Sequence, residues 1–156
     1  MLTSLPLLTC IGAGMIGGVF FAFSSFVMSA LAQLPASHGI AAMQRINVVV
    51  QSPVFLGVFV ATTVMSGVCV FAGFFTWGTT RSTLLLVAGF AYLLGSFGVT
   101  AAFNVPRNER LARMQAESEQ AAAYWPAYVR EWLFWNHVRT GASLVCAACA
   151  AGALAC

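Results

Sequence analysis

Three short polar clusters stand out in a sequence that is 60% hydrophobic. They are Arg45-Ile-Asn47, Asn104-Val-Pro-Arg107-Asn108 and Asn136-His137-Val-Arg139-Thr140. Asparagine and arginine side chains donate hydrogen bonds that can stabilise a developing oxyanion. Histidine changes its charge near neutral pH, which suits His137 to accept a proton. Together these residue types predict a polar site that deprotonates a ligand and holds the anion that results.

Two alternatives for the histidines stay open. In the first, His137 forms a hydrogen bond at a helix end and has no role in chemistry. In the other, His137 and His38 together ligate haem or a metal, although two histidines without nearby acidic or cysteine ligands make a weak metal site. We therefore expect neither a metal nor another cofactor.

The elements that carry these clusters follow from the scarcity of charge. The 156 residues include seven arginines and four glutamates as their charged residues, which is 7% of the chain, against ~25% in soluble domains. A soluble domain of this size could not cover its surface with so few charges. The composition predicts an integral membrane protein whose partner is the lipid bilayer. A net charge of +3 fits the orientation of loops in a membrane better than nucleic-acid binding, which we do not expect.

Four apolar runs are long enough to cross a membrane, which takes about 20 helical residues. Backbone polar groups in lipid must be paired within the segment, so the runs predict helices. The expected fold is an all-α, four-transmembrane-helix bundle in one domain, 1–156, with Pro126 near the start of the last helix and an amphipathic segment between the third and fourth. The predicted helices span about 5–34, 48–75, 83–103 and 127–156.

The distribution of arginines predicts the orientation. With four spans, the first and third connections share one side of the membrane. Six arginines belong to that side, and Arg81 alone belongs to the other. The positive-inside rule then places the six in the cytoplasm and both termini outside, in an inner or plasma membrane. The six are Arg45, Arg107, Arg110, Arg113, Arg130 and Arg139.

All three polar clusters lie at the cytoplasmic ends of their predicted helices, so distant segments converge on one layer of the bundle. Polar residues recur every four positions along the third helix, which predicts an inward-facing stripe. Trp132, Asn136 and Arg139 share one face of the fourth helix. We expect a water-accessible pocket here, with tryptophans on its rim; an interfacial aromatic belt with snorkelling side chains is the alternative. The stripe consists of Tyr92, Ser96, Thr100 and Asn104.

The first apolar run contains Gly14-x-x-x-Gly18. Small residues at this spacing let two helices approach closely. The motif predicts either packing within the bundle or a homo-oligomer contact through Gly14 and Gly18.

The clusters also carry a resemblance to a known family. The segments that carry it are Phe20-Phe-Ala-Phe-Ser24-Ser-Phe, His38-Gly-Ile-Ala-Ala-Met43-Gln-Arg-Ile-Asn47, Phe103-Asn-Val-Pro106-Arg-Asn108 and Trp132-Leu-Phe-Trp-Asn136-His137-Val-Arg139-Thr. Over nearly the whole chain this pattern resembles the anthrone oxygenase-like family, small four-helix membrane proteins long filed as a domain of unknown function.

The resemblance implies oxidation of an anthrone-like or related phenolic aromatic by O₂, without metal or flavin. Deprotonation of such a substrate gives a phenolate that itself reacts with O₂. The roles it implies are His137 as the base, Asn104, Asn136 and Arg139 around the oxyanion, Asn47, Arg45 and Asn108 in support, and Trp132 and Trp135 beside the aromatic rings.

A function of another class also stays open. The same polar layer suits a non-catalytic or cofactor-binding membrane protein that holds haem, quinone or another small ligand.

Overall fold

The computed structural model describes residues 4–156, which form five helices and no strand. The all-α prediction is confirmed. Two of the helices contain π-helical turns, at Phe23–Val27 in the first and at Ala91–Gly98 and Thr100–Asn104 in the fourth. The helices are α1 (Ser4–Ala32), α2 (Ala36–Val49), α3 (Pro53–Phe75), α4 (Thr80–Ala112) and α5 (Glu119–Gly152).

Three of the described helices, α1, α3 and α4, are long and apolar enough to cross a membrane. Their outer faces carry large apolar side chains such as Phe71, Phe75 and Leu94 in exposed positions. Lipid tails are the solvent that such a surface requires. The three helices are consistent with a multi-pass integral membrane protein.

The long helices α1, α3, α4 and α5 pack side by side, with α5 against α1 and α4. Close approach depends on glycine at two points of α1. A Cβ at Gly17 would lie 3.2 Å from the Cβ of Ser143 in α5, and one at Gly12 would collide with the Thr62 hydroxyl of α3. The buried core between these helices consists of Ala13, Ile16, Phe20, Phe59, Ala88, Tyr92, Cys146 and Ala150.

Gly14 and Gly18 do not take part in this packing. Both are exposed, and a Cβ added at either would meet no atom within 4 Å. The expectation that they pack within the bundle is therefore wrong, because the face of α1 turned towards α3 and α5 is the one that carries Gly12 and Gly17. A homo-oligomer contact through Gly14 and Gly18 stays a prediction.

The predicted first loop is largely a helix, α2, and α3 begins at Pro53 instead of about 48. Ser52 caps α3 by accepting a hydrogen bond from the Phe55 amide (3.4 Å), and Pro53 occupies the first turn, where its missing N–H costs nothing. This start signal separates α2 from α3 at Val50–Ser52.

The third predicted helix begins earlier, at Thr80 with Thr79 as its cap, and continues past residue 103 to Ala112. Pro106 does not end it, because the π-helical turn Thr100–Asn104 comes directly before. A wider turn relieves the clash between a proline ring and the preceding carbonyls. The Phe103 carbonyl accepts a hydrogen bond from Nη1 of Arg107 (2.8 Å) and so keeps a partner.

Helix α5 begins at Glu119, and the prediction that Pro126 opens it is wrong. Ser118 caps the helix by accepting a hydrogen bond from the Ala121 amide (3.2 Å). A cap followed by glutamate, glutamine and three alanines favours a helix strongly enough to include Pro126. The expected amphipathic connection is thus divided between the end of α4, a short turn and the start of α5.

Candidate functional site

A cavity of about 450 Å³ opens between α1, α2, α3, α4 and α5. This is a volume typical of small-molecule sites. Aromatic side chains from α1, α3 and α5 form much of its wall, and the π-helical part of α4 contributes polar groups. The aromatic lining residues are Phe20, Phe23, Phe55, Phe59 and Trp132; the polar ones are Gln44, Asn47, Gln51, Thr100, Asn104, Asn108, Glu109 and Arg139.

Arg139 is the buried cation of this cavity, with 5% of its surface exposed. Its Nη2 donates to Oδ1 of Asn136 (2.7 Å) and its Nη1 to the Thr100 hydroxyl (3.3 Å). The guanidinium carbon lies 4.1 Å from the centre of the Phe20 ring and 5.1 Å from that of Trp132. Nε is buried and has no hydrogen-bond partner.

No carboxylate pairs with Arg139 in the part of the chain that the structure describes. The two ion pairs there are Arg107–Glu131 (3.0 Å) and Arg113–Glu109 (3.7 Å). A buried cation surrounded by neutral dipoles and ring faces is costly to desolvate and attracts an anion strongly. The cavity is therefore suited to an anionic ligand.

Three asparagines present further polar groups to the cavity. Oδ1 of Asn108 accepts hydrogen bonds from the Tyr128 hydroxyl (2.9 Å) and the Trp132 indole (2.8 Å), which leaves its Nδ2 for a ligand. Nδ2 of Asn47 is buried without a partner. Asn104 donates to the Trp132 carbonyl (3.2 Å), while its Oδ1 is buried without a partner. Two potential donors and one acceptor thus remain for a ligand.

Tyr128 lies before the apolar part of α5 and keeps the Asn108 amide oriented. Its phenol is a donor to Asn108.

Residues 51–149, more than half of the chain, match the model of the anthrone oxygenase family. The chain belongs to this family. No curated protein and no solved structure matches the chain. The predicted resemblance is confirmed, and the matched segment includes Asn104, Asn108, Trp132 and Arg139.

The anthrone oxygenase fold of this chain brings five of the predicted site residues to one cavity. They come from three helices and are far apart in sequence. The polar stripe of α4 faces inward as expected: Tyr92, Ser96 and Asn104 are buried, and Ser96 accepts a hydrogen bond from Ser143 (3.1 Å). The five residues that line the cavity are Asn47, Asn104, Asn108, Trp132 and Arg139.

Three other predicted residues lie outside the lining. Asn136 is fully buried, but its Nδ2 donates to the Phe20 carbonyl and the Ser24 hydroxyl, both at 2.7 Å, so it holds Arg139 instead of facing a ligand. Trp135 stacks on Phe103 with ring centres 3.6 Å apart. Arg45 is exposed on α2. None of the three lines the cavity, and contact of these residues with a ligand stays a prediction.

The structure does not bring His137 to the cavity either. Its side chain is exposed on the outer side of α5, next to the buried Asn136. His38 is exposed on α2. No group of three or more His, Cys, Asp or Glu side chains placed to hold a metal ion occurs among residues 4–156. Since neither histidine lines the cavity, the donor set there does not fit haem or a metal.

Sequence reasoning missed several lining residues, chiefly Gln44, Glu109 and the two phenylalanines of α3. Glu109 had only a weak signal, because five positions after Asn104 it lies about 140° away around an α-helix. The phenylalanines had no such signal. In a membrane helix, the local sequence is equally apolar around a residue that faces lipid and around one that faces the protein interior.

Proposed function

We propose that this protein oxidises an anthrone or a related phenolic aromatic with O₂ to the quinone, in the cavity beside Arg139. Family membership supports the reaction type. The observation that carries the proposal is the buried guanidinium without a carboxylate partner, set among aromatic side chains.

The chemistry explains why such a cation is useful. When the methylene carbon of an anthrone loses a proton, the electron pair moves into the central ring and the carbonyl oxygen becomes a phenolate. This anion then reduces O₂. One oxygen atom of O₂ becomes the new carbonyl and the other leaves as water, so the methylene becomes a ketone. The balance needs no further oxidant or reductant, and we propose the reaction without a cofactor.

In this proposal Arg139 binds the phenolate oxygen, and Asn47 and Asn108 donate to other oxygen atoms of the substrate. Hydrogen-bond donors that are already in place and shielded from water stabilise developing charge far more than they would in solution. The aromatic walls hold the flat rings of the substrate. Asn136 holds Arg139 in position by accepting a hydrogen bond from its Nη2.

Replacement of the buried cation tests the proposal. Arg139→Met should lower the rate of O₂ consumption with anthrones about 10²–10³-fold, because the anion loses its main donor. Removal of a buried charge does not by itself destabilise a protein, so the variant should remain folded. The measurement is O₂ uptake by purified protein in detergent with a panel of anthrones and hydroquinones.

Arg130→Met is the matched control, since Arg130 is an exposed arginine of the same helix, and it should keep the full rate. Full activity of Arg139→Met would remove Arg139 from the reaction. A haem absorption band in the purified protein would contradict the cofactor-free mechanism and favour a cofactor-binding protein instead.

We also propose that α5 is the fourth transmembrane helix. Its apolar part packs against α1 and α4, both long enough to span, and its polar side chains Asn136, Arg139 and Ser143 are buried. Four spans place both termini outside if the arginine-rich end faces the cytoplasm.

A further inference from the structure

We infer that Glu109 accepts the substrate proton, an assignment that rests on the proposed oxidation. The reaction needs a base in contact with the methylene group. The lining of the cavity contains two charged side chains among the described residues, Arg139 and Glu109. Of these, the carboxylate is the group that can accept a proton, because a guanidinium has no acceptor.

The helix places Glu109 beside the groups that hold the ligand. From Asn104 onward, the side chains that α4 contributes to the cavity cover an arc of about 140° around the helix, and Glu109 lies at the edge of that arc. Glu109 follows Asn108 directly and lies one turn beyond Val105. The α4 residues of the lining are Thr100, Asn104, Val105, Asn108, Glu109 and Ala112.

Arg139 contacts α4 at a different level from Glu109. Arg139 is buried and contacts Thr100, whereas the Glu109 side chain is 61% exposed. Nine residues of helix separate Thr100 from Glu109, a rise of about 13 Å along the axis. The carbonyl and the methylene of an anthrone lie opposite each other on the central ring. With a hydrogen bond at each end, such a molecule spans about 10 Å.

The step is therefore a proton transfer at the methylene end of the substrate, with the negative charge appearing on the carbonyl oxygen at the other end. The methylene C–H bond breaks, its proton passes to an Oε atom of Glu109, and its electron pair becomes the phenolate that Arg139 holds. Because Glu109 is exposed, it can release the proton to water afterwards. Its contact with Arg113 is 3.7 Å long and exposed, which makes it too weak to withhold the carboxylate.

The other acidic candidate near the site is already engaged. Glu131 accepts a hydrogen bond from Nε of Arg107 (3.1 Å) and forms an ion pair with its Nη2 (3.0 Å), and it does not line the cavity. His137 faces away from the cavity. Glu109 is the base that the geometry supports.

Proton exchange without O₂ tests the base separately from the oxidation. Purified protein and an anthrone in D₂O under anaerobic conditions should exchange the methylene protons, which NMR follows directly. Glu109→Gln should slow this exchange, and O₂ uptake in air, by about 10²-fold or more. Glu109→Asp should recover part of both rates. Glu117→Gln is the control, since Glu117 is an exposed glutamate in the connection between α4 and α5, and it should leave both rates unchanged.

The outcomes separate the two claims. Exchange at the normal rate in a folded Glu109→Gln variant would overturn Glu109 as the base, even if the wild-type protein oxidises anthrones. Exchange that depends on Glu109 but is followed by no O₂ uptake would support the base and contradict the oxygenase proposal. Neither exchange nor O₂ uptake by the wild-type protein with any anthrone would overturn both.

Discussion

Asn136 connects the buried arginine to the first helix and uses both sides of its amide to do so. Oδ1 accepts from Arg139, while Nδ2 donates to the Phe20 carbonyl and to Ser24. The Ser24 hydroxyl also lies 3.1 Å from that of Thr140. A guanidinium on a flexible stem is thereby held in one position, which an oxyanion site requires. Asn136 is a positioning residue, and its contribution is to both stability and rate.

Asn136→Leu should therefore lower the free energy of unfolding by about 2 kcal/mol or more, because three buried hydrogen bonds are lost and Arg139 loses an acceptor. Ser24→Ala is the graded comparison. It removes a single member of the network and should cost about 0.6 kcal/mol, the average for hydrogen bonds between membrane helices. Thermal unfolding in detergent measures both. Equal stability of the two variants would show that Asn136 does not organise the network.

At the scale of elements, α2 closes the end of the bundle that holds the cavity. It contributes Ile40 and Met43 to a second buried core, in which Leu111 of α4 and Trp125 of α5 also lie. Nε2 of Gln44 donates to the carbonyls of Leu111 (2.8 Å) and Met114 (2.9 Å). Leu111 lies in the last turn of α4 and Met114 just beyond its end, where a helix leaves carbonyls short of partners; the Leu111 carbonyl also accepts from the Met114 amide (3.1 Å). One side chain thus joins α2 to α4 beside the cavity.

Gln44→Leu should destabilise the protein by about 1–2 kcal/mol, since the Met114 carbonyl loses its donor and the Leu111 carbonyl keeps only the Met114 amide, and it should weaken substrate binding because α2 is less firmly attached. Gln33→Leu, at an exposed position just after α1, is the control and should have little effect. Thermal unfolding and the KM for an anthrone are the measurements. An unchanged melting temperature for Gln44→Leu would contradict the role of Gln44 as a connector.

For the whole molecule, the arginines mark one end of the bundle. The contact of Gln44 with the end of α4 places α2 and the α4–α5 connection together, as the four-span topology requires. Arg139 is buried and so does not act as a loop charge. Five arginines then remain at this end, against Arg81 at the other, and the asymmetry still favours a cytoplasmic location for the cavity end. The five are Arg45, Arg107, Arg110, Arg113 and Arg130.

The exposed Cys156 allows a direct test of this orientation. A membrane-impermeant maleimide applied to intact cells should label Cys156, because four spans place the C-terminus outside. Cys156→Ser should abolish that labelling. Glu117→Cys in the Cys156→Ser background should react only after the membrane is permeabilised. The opposite pattern of labelling would reverse the proposed orientation.

Local sequence indicated which segments form helices more reliably than it indicated where the helices end. Long apolar runs predicted α1, α3 and α4 because lipid requires helices with apolar surfaces. The boundaries failed where two effects compete, as at Pro126, which a well-capped, alanine-rich helix start includes, and at Pro106, which a π-helical turn accommodates. The polar clusters were located correctly along the chain, yet which of their members share a cavity was not predictable.

Asn136 and His137 show the division most clearly. The sequence by itself determined that lipid surrounds this protein, which helices are in contact with lipid, and where the polar layer with Arg139 lies. Composition and hydropathy follow directly from residue types. Adjacent residues of a helix point about 100° apart. The packing of α5 against α1 and α4 buries Asn136 beside Arg139, as their shared helical face predicted, and it decided that His137 faces outward. Tertiary packing also placed Glu109 at the cavity, since the rotation of each helix depends on the surfaces it contacts as well as on its own residues.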